Sequence, residues 1–228
     1  MISILVPLYN GIEYLEECIQ SVLQQTFQEW ELLLGINGHG MDGGEIIGIA
    51  LSLATDARIR VLVQPPPLTG KVESLHDLLL SASAPWIAIL DCDDKWEPTK
   101  LQRQWDALQS DAKDADVIGT YCQYFGERAD RLTLPAGYID PTVLSVYNPI
   151  INSSAIIKRE KCNWIYNEIN YGVEDFYLWM EICLQGGRIY NVPEYLTWHR
   201  IHASSAFNSK GYSDQAIRSW FSRIGWTK

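Results

Sequence analysis

The segment Trp86-Ile87-Ala88-Ile89-Leu90-Asp91-Cys92-Asp93-Asp94 joins an apolar run directly to a cluster of carboxylates. Five consecutive apolar residues are typical of a strand buried on both faces, as in a parallel sheet. Three carboxylates follow within four residues, and such crowded charges need a cation or hydrogen-bond donors to neutralise them. Their oxygens suit Mg²⁺ or Mn²⁺ shared with a phosphate-bearing ligand. Taken alone, the same aspartates more often form a turn and a helix cap before Pro98.

The composition is that of a globular protein with an acidic surface. The 228 residues are 47% hydrophobic and 20% charged, which is ordinary for a chain that buries a substantial core. A net charge of −10 disfavours a nucleic-acid partner, because duplex binding needs clustered Lys and Arg. Five cysteines without a C-x-x-C pattern favour free thiols in a reducing compartment. The sequence shows neither a signal-peptide pattern nor a long apolar run, so we expect a cytoplasmic protein.

Apolar periodicity predicts four strands alternating with three helices in the first ninety residues. Strands are expected at 3–9, 30–36, 59–63 and 86–90, with a stiff connector at 65–70. Asn10 and Glu13 have the spacing of a capping box that starts the first helix. Such a series builds a parallel sheet, and ligands bind at the carboxyl ends of its strands. The aspartate cluster falls at that edge.

The second half of the sequence is less regular. Helices are expected at 98–109 and 175–184 and strands at 116–125, 154–158, 188–192 and 195–200, with an irregular region at 126–149. The residues after Tyr212 predict a final helix that carries Trp220, Phe221 and Trp226. We expect this helix to close the core, although membrane contact remains an alternative.

Four motifs, in this order, resemble family 2 glycosyltransferases with the GT-A fold. They are Ser3 to Asn10, Ile89 to Asp94, the pair Glu174-Asp175, and Trp198 to His202. The resemblance covers roughly residues 2–205 and implies an α/β fold: a Rossmann-like, mostly parallel central sheet flanked by helices, with a mixed C-terminal acceptor-side region. It also implies one domain over 1–228, with a nucleotide-binding half (1–97), an acceptor-side half (98–205) and a C-terminal helix (206–228).

The resemblance implies an inverting transferase of the hexosyltransferase type. It would move a sugar from a nucleotide-sugar donor, by default a UDP-sugar, to a glycan, protein or other hydroxyl acceptor, with Mn²⁺ or Mg²⁺ as cofactor. The metal suits the chemistry because a cation stabilises the charge that develops on the leaving diphosphate. A base from a distant part of the chain is also needed to deprotonate the acceptor hydroxyl in line.

The family's roles are carried over by matching motif positions. Asp93 and His202 would be metal ligands, and Asp175, paired with Glu174, would be the general base. The remaining positions are assigned to nucleotide-sugar binding, apart from Trp179 as a platform for the acceptor: Pro7, Leu8, Tyr9, Asn37, Lys71, Asp91 and Cys92. Here Asp91 would meet the ribose or base, and Lys71 would add positive charge near the phosphates.

Each role has a structural alternative. Glu174-Asp175 suits any helix N-terminus because anionic groups are stabilised there, and Trp179 could be a core residue. The family usually carries an acidic pair and Gly-Ser after the second strand, whereas this chain has Ile36-Asn37-Gly38-His39. An amide donates hydrogen bonds as well as accepting them, so the identity of the donor nucleotide is left open. The lost acidic pair favours one rival function, a catalytically inactive GT-A-like module that binds a nucleotide-sugar or glycan. A second rival, a metal-dependent nucleotidyltransferase, would use the nucleotide and the carboxylates in a similar way.

Overall fold

The computed structural model describes residues 1–38, 43–64, 70–164 and 173–203. Within these ranges the chain forms ten strands and five α-helices. The strands are β1 (Ile2–Leu8), β2 (Trp30–Ile36), β3 (Ile59–Val63), β4 (Trp86–Ile89), β5 (Lys95–Trp96), β6 (Val117–Gly126), β7 (Arg131–Leu132), β8 (Gly137–Tyr138), β9 (Ile156–Lys158) and β10 (Ile189–Ile201). The helices are α1 (Leu15–Leu23), α2 (Gly44–Leu53), α3 (Lys71–Ser81), α4 (Lys100–Gln109) and α5 (Glu174–Leu184).

One sheet contains all ten strands, in the order β3-β2-β1-β4-β9-β6-β10-β5, with β7 on β6 and β8 on β10. The first four strands are parallel, as the alternation of strands and helices predicts. Strand β9 is antiparallel to both β4 and β6, whereas β6 and β10 are parallel to each other. The prediction of a mostly parallel α/β sheet with a mixed C-terminal region is therefore confirmed.

The sheet is buried on both faces because its strands send alternate side chains to opposite sides. In β1, Ile4 and Val6 join the apolar side chains of α1 and α4, whereas Leu5 joins those of α3 and α5. In β4, Ala88 lies on the first face and Ile87 on the second. Two layers of helices thus enclose the sheet and hold β4, the strand before the aspartates, at its centre.

Two local predictions are wrong. The capping box of Asn10 and Glu13 is absent from the described start of the first helix, where Gly11, with φ of +89°, leads into a 3₁₀ turn at Ile12–Tyr14 and no side chain caps the turn. Glycine adopts this left-handed geometry freely, so the helix begins later than the sequence suggests. The two strands expected at 188–192 and 195–200 are one strand, β10. It continues past Pro193 through register shifts, which are the usual way for a strand to accommodate a residue that lacks an N–H.

Several expectations lie outside the described residues. They are the helix of residues 206–228, its membrane contact, and most of the connector at 65–70. Within the described ranges, no helix combines the length and apolar character needed to cross a membrane. The predicted cytoplasmic location and the division into halves at residue 97 stay predictions.

Candidate functional site

The polar residues of the site meet at the carboxyl edge of the parallel strands. Strand β1 leads to Tyr9, β2 leads to Asn37, and β4 leads to Asp91 through Leu90, whose N–H donates to the Leu5 carbonyl at 3.1 Å. The N-termini of α3 and α5 contribute Lys71 and Glu174. Residues from both ends of the described chain therefore converge on one cleft, as expected for a parallel sheet.

Lys71 links the two groups of carboxylates. Its Nζ lies 2.6 Å from Asp91 Oδ1 and 3.5 Å from Glu174 Oε1. Burial alone would raise the pKa of the Asp91 carboxyl, but the Lys71 charge and the amide of Asn152, 3.3 Å from Asp91 Oδ2, lower it. Burial opposes the charge on Lys71 too, yet Asp91 and Glu174 raise its pKa. The cleft is thus a charged assembly held together by one lysine.

Asp175 lies next to this lysine but has a different partner. The Asn148 Nδ2 donates to Asp175 Oδ2 at 3.0 Å. Burial, followed by the negative charge of Glu174, raises the pKa of Asp175 to about 6, against the weaker opposing effects of Lys71 and of hydrogen bonds from Phe176 and Asn148. A carboxylate with a pKa near neutrality can accept a proton from a bound hydroxyl group.

Asp93 and His202 form a second polar centre near Asp91. Their Oδ2 and Nε2 atoms are 3.0 Å apart, which joins the loop after β4 to the end of β10. Burial, followed by the charges of Asp94 and Asp91, raises the pKa of Asp93. A carboxylate destabilised in this way gains from a nearby cation, and carboxylate with imidazole is a common ligand pair.

This pair fits the divalent metal that the resemblance implies, provided that further oxygens come from a ligand. Among the described residues, no group of three or more His, Cys, Asp or Glu side chains is placed to hold a metal. Mg²⁺ commonly takes one or two carboxylates and completes its coordination with phosphate oxygens and water.

Asp94 is a structural member of the cluster. It is buried, and it accepts hydrogen bonds from the Arg200 N–H at 2.8 Å and from the His199 ring at 3.0 Å. Burial would lower the pKa of His199, but Asp94 raises it to about 9. Asp94 also closes a turn by donating its N–H to the Asp91 carbonyl. The turn expected from the sequence is present, whereas the helix cap is not, since α4 begins at Lys100 after Thr99 without a side-chain cap.

The residues predicted to line the nucleobase differ in how much of the side chain is exposed. Tyr9 is 54% exposed, whereas Leu8 and Cys92 are buried. Leu8 can therefore line a ligand only through its backbone, and Cys92 directs its thiol to the Asn10 carbonyl at 3.2 Å. Gly38 has φ of +78°, and a Cβ there would lie 2.4 Å from the Tyr9 ring, so this position requires glycine.

Asn37 is almost fully buried, and its two amide atoms have different surroundings. Its Nδ2 donates to the Gly70 carbonyl at 3.1 Å. Its Oδ1 is buried without a hydrogen-bond partner among the residues that the structure describes. One of the two Nδ2–H groups is thus used by Gly70, while the Oδ1 remains an acceptor without a partner among the described residues. The amide thus keeps an acceptor oxygen where the family has a carboxylate, together with a second N–H that a carboxylate lacks.

The prediction for Trp179 is wrong. Trp179 lies on α5, and its side chain is 0% exposed and packs in the core. Its ring therefore cannot present a face to a sugar. Conversely, Asn148 and Asn152 contact Asp175 and Asp91 but were not identified from the sequence. They lie in a region without apolar periodicity, and no spacing relative to the aspartates indicates their role.

Comparison with known proteins gives consistent matches. The family model described as "Glycosyl transferase family 2" matches residues 3–168. An uncharacterized glycosyltransferase, RC0461, of Rickettsia conorii is 27% identical over 80% of this chain, which spans 31% of that relative's length. Escherichia coli WfaP, named as a UDP-Glc:α-D-GlcNAc-diphosphoundecaprenol β-1,3-glucosyltransferase, is 25% identical, and the alignment covers 92% of this chain and 81% of WfaP.

Solved structures share the fold at low sequence identity. TarS (residues 1–349) of Staphylococcus aureus in complex with UDP-GlcNAc has a TM-score of 0.74 and 15% identity, covering 98% of this chain and 65% of that one. The mannosyltransferase PcManGT of Pyrobaculum calidifontis, in complex with GDP-Man and Mn²⁺, has a TM-score of 0.64 and 16% identity, covering 98% and 60%. These likenesses confirm the predicted GT-A fold. With a family match that covers most of its length and a cleft built from the family's motif residues, the chain belongs to glycosyl transferase family 2.

Proposed function

We propose that this chain transfers a sugar, with inversion, from a nucleotide-sugar donor to a hydroxyl acceptor. The observation that carries the proposal is the position of Lys71, which contacts Asp91 after β4 and Glu174 beside Asp175. Asp91, predicted to bind the donor, and Glu174, next to the predicted general base, are more than eighty residues apart in sequence, yet both lie close to this lysine. Membership of the family and the nucleotide-sugar names of WfaP and the TarS complex support the same activity.

In the proposed reaction, Asp175 is the general base. The acceptor oxygen forms a bond to the anomeric carbon while the bond from that carbon to the β-phosphate oxygen breaks. The bonding electrons leave with the nucleoside diphosphate, and the hydroxyl proton passes to the Asp175 carboxylate. Glu174 keeps Asp175 basic by its negative charge, and one displacement on the face opposite the leaving group inverts the anomeric centre.

The donor nucleotide is proposed to be a uridine diphosphate. The acceptor oxygen of Asn37 fits a base with an imino N–H, which uracil, thymine and guanine have and cytosine and adenine lack. Tyr9 and the backbone of Pro7 and Leu8 would border the base, and Asp91 would accept from the ribose. Cys92 contributes by packing the loop rather than by contact. The acceptor is proposed as a hydroxyl compound, whether glycan, protein or other.

Asp93 and His202 would hold Mn²⁺ or Mg²⁺ together with donor phosphate oxygens. The metal would stabilise the negative charge on the departing diphosphate. Lys71 would add a second positive charge near the phosphates, since part of its side chain remains exposed while it pairs with Asp91.

The test is release of nucleoside diphosphate from UDP-sugars with a panel of hydroxyl acceptors and Mn²⁺. We expect Asp175→Asn to lower kcat by about 10²- to 10⁴-fold and Asp93→Ala to lose metal-dependent donor binding. Glu194→Gln is the matched control, because this carboxylate pairs with Arg103 on an exposed surface away from the cleft. Wild-type rates in both cleft variants would contradict the proposal. Nucleotide binding without turnover would identify an inactive module, and pyrophosphate release from a nucleoside triphosphate would identify a nucleotidyltransferase.

A further inference from the structure

The segment from Asn148 to Ser154, called here the bridging segment, contacts both sides of the cleft. Asn148 donates its amide to Asp175 and Asn152 donates its amide to Asp91. Each asparagine therefore serves one of the two carboxylates, and the donors come from positions four residues apart on the same short stretch. Neither residue belongs to a motif on which the family resemblance rests.

The orientation of the Asn148 amide is fixed by its second contact. The backbone N–H of Ile150 donates to Asn148 Oδ1 at 3.1 Å. A backbone N–H can only donate, so the oxygen must face Ile150 and the NH₂ group must face Asp175. The hydrogen bond to Asp175 Oδ2 is thus set by the bridging segment itself and does not depend on which way the amide is placed.

The bridging segment is anchored by other parts of the fold. The Asn191 Nδ2 on β10 donates to the Pro149 carbonyl at 2.9 Å. Trp96 Nε1 donates to the Ser153 carbonyl at 2.6 Å, and the Asp91 N–H donates to Ser153 Oγ at 3.1 Å. Because strand β10 and the loop after β4 both hold this backbone, Asn148 is presented from a fixed position, which precise orientation of a reacting group requires.

The partners of the two carboxylates differ in charge. Asp91 has the lysine cation at 2.6 Å in addition to the Asn152 amide. Asp175 has the neutral Asn148 amide, while the charged groups that act most on it are Glu174 on its own helix and Lys71 on α3. A cation in direct contact would make the carboxylate a weak base, whereas a neutral donor orients it at a smaller cost in basicity.

We propose that Asn148 is the positioning residue for the general base: its amide, locked by Ile150, holds Asp175 Oδ2 so that the rest of the carboxylate faces the acceptor hydroxyl. This inference rests on the proposed function. A carboxylate has about four acceptor positions and the amide occupies one of them. Asn152 has the corresponding position toward Asp91, so its removal should affect the donor side.

Asn148→Asp is the sharpest variant. The aspartate keeps an oxygen for the Ile150 N–H, so it removes the donor to Asp175 while preserving the local fold. We expect kcat to fall by about 10- to 100-fold, as for misorientation of a reacting group, with donor KM within about twofold of wild type. The acid limb of the kcat/KM profile should move to higher pH, because a donor that favours the charged carboxylate is replaced by a like charge. Asn148→Ala should change kcat and the acid limb in the same directions. Asn152→Ala should instead raise the donor KM.

A measurement without turnover separates this inference from the proposed function. In wild type, the carboxyl ¹³C signal of Asp175 and the side-chain amide signals of Asn148 should follow one titration near pH 6. In Asn148→Ala that titration should move up by about 0.5 to 1 pH unit, the equivalent of one hydrogen bond. If the side-chain amide signals of Asn148 did not change as Asp175 titrates, the inference would be overturned, even if the variants do not fold. Wild-type kcat and pH profile in Asn148→Asp, with Asp175→Asn inactive, would overturn it and leave the proposed function standing. Failure of wild type to transfer any sugar would instead remove the proposed function.

Discussion

Lys71→Met tests whether this lysine holds the charges of the cleft together. The substitution keeps most of the side-chain volume and removes the cation 2.6 Å from Asp91 and 3.5 Å from Glu174. Breaking a fully buried pair costs about 3–5 kcal/mol, and exposed pairs are worth about 0–1 kcal/mol. The side chains of Lys71 and Asp91 are 33% and 24% exposed, so we expect an intermediate loss of about 1–3 kcal/mol in the free energy of unfolding at pH 8.

The loss of stability in Lys71→Met should also depend on pH, and this dependence reports on Asp175 specifically. The pKa of Asp175 is about 6 in the folded protein, above the ordinary value of 3.8, so the folded state binds more protons and gains stability as pH falls toward 4. Lys71 opposes this shift, and without it the pKa of Asp175 rises further. At pH 5.5 Asp175 is therefore more fully protonated in the variant than in wild type. The loss in the free energy of unfolding is then about 1 kcal/mol smaller than at pH 8.

Urea unfolding of wild type and variant at pH 8 and pH 5.5, at equal ionic strength, measures this difference. Lys158→Met is the matched control, because Lys158 lies 2.8 Å from Asp116 and the two side chains are 30% and 14% exposed. Although burial opposes it, Lys158 lowers the pKa of Asp116, so in wild type the Asp116 carboxyl is ionised at both pH values, and the loss of stability in Lys158→Met should be the same at both. Equal losses at the two pH values in Lys71→Met would show that Lys71 does not control the ionisation of Asp175.

Three further outcomes are expected. Since Asp175 must be ionised to act as a base, kcat/KM should fall about tenfold per pH unit below pH 6; a profile flat from pH 4.5 to 8 would contradict this. His202→Ala should weaken nucleotide binding measured by calorimetry with Mn²⁺ and leave metal-free binding unchanged; equal loss in both would argue against a ligand role. Gly38→Ala should destabilise the protein and weaken nucleotide binding more than Gly137→Ala, because both positions have positive φ but a Cβ at Gly38 meets the Tyr9 ring; thermal unfolding and UDP titration compare them.

The first half of the fold is predictable because its physical signals are local. Strand β4 consists of four apolar residues that are largely buried, and the helices before it have stripes of helical period. The carboxyl ends of parallel strands share an edge, so the position of Asp91 follows from the order of the elements. The two residues predicted as metal ligands, Asp93 and His202, are in contact, and their role as ligands stays a prediction.

The second half is not predictable in the same way. Strands β7 and β8 have two residues each, which is too short for any periodicity, and the bridging segment contains a 3₁₀ turn at Asn152–Ser154. Its two asparagines acquire a role only through tertiary contacts. Trp179 shows the opposite error, since an aromatic residue on α5 suits a sugar platform by type but faces the core.

The departure at Asn37 shows what a sequence alone leaves open. An amide in place of a carboxylate can present either a donor or an acceptor to a ligand. In the structure the Gly70 carbonyl accepts from one Nδ2–H, and the Oδ1 has no partner among the described residues. The chain therefore keeps an acceptor at this position in a different residue type.

Calorimetric titration of UDP, dTDP, GDP and CDP, with and without Mn²⁺, is the decisive measurement for a nucleotide-sugar site in this cleft. We expect metal-dependent binding of UDP, weaker or no binding of CDP, and loss of the metal-dependent part of UDP binding in Asp93→Ala. Asn37→Ala should abolish the preference for UDP over CDP, because the acceptor oxygen is removed. Absence of binding for all four nucleotides in the presence of Mn²⁺ would contradict a nucleotide-sugar site in this cleft.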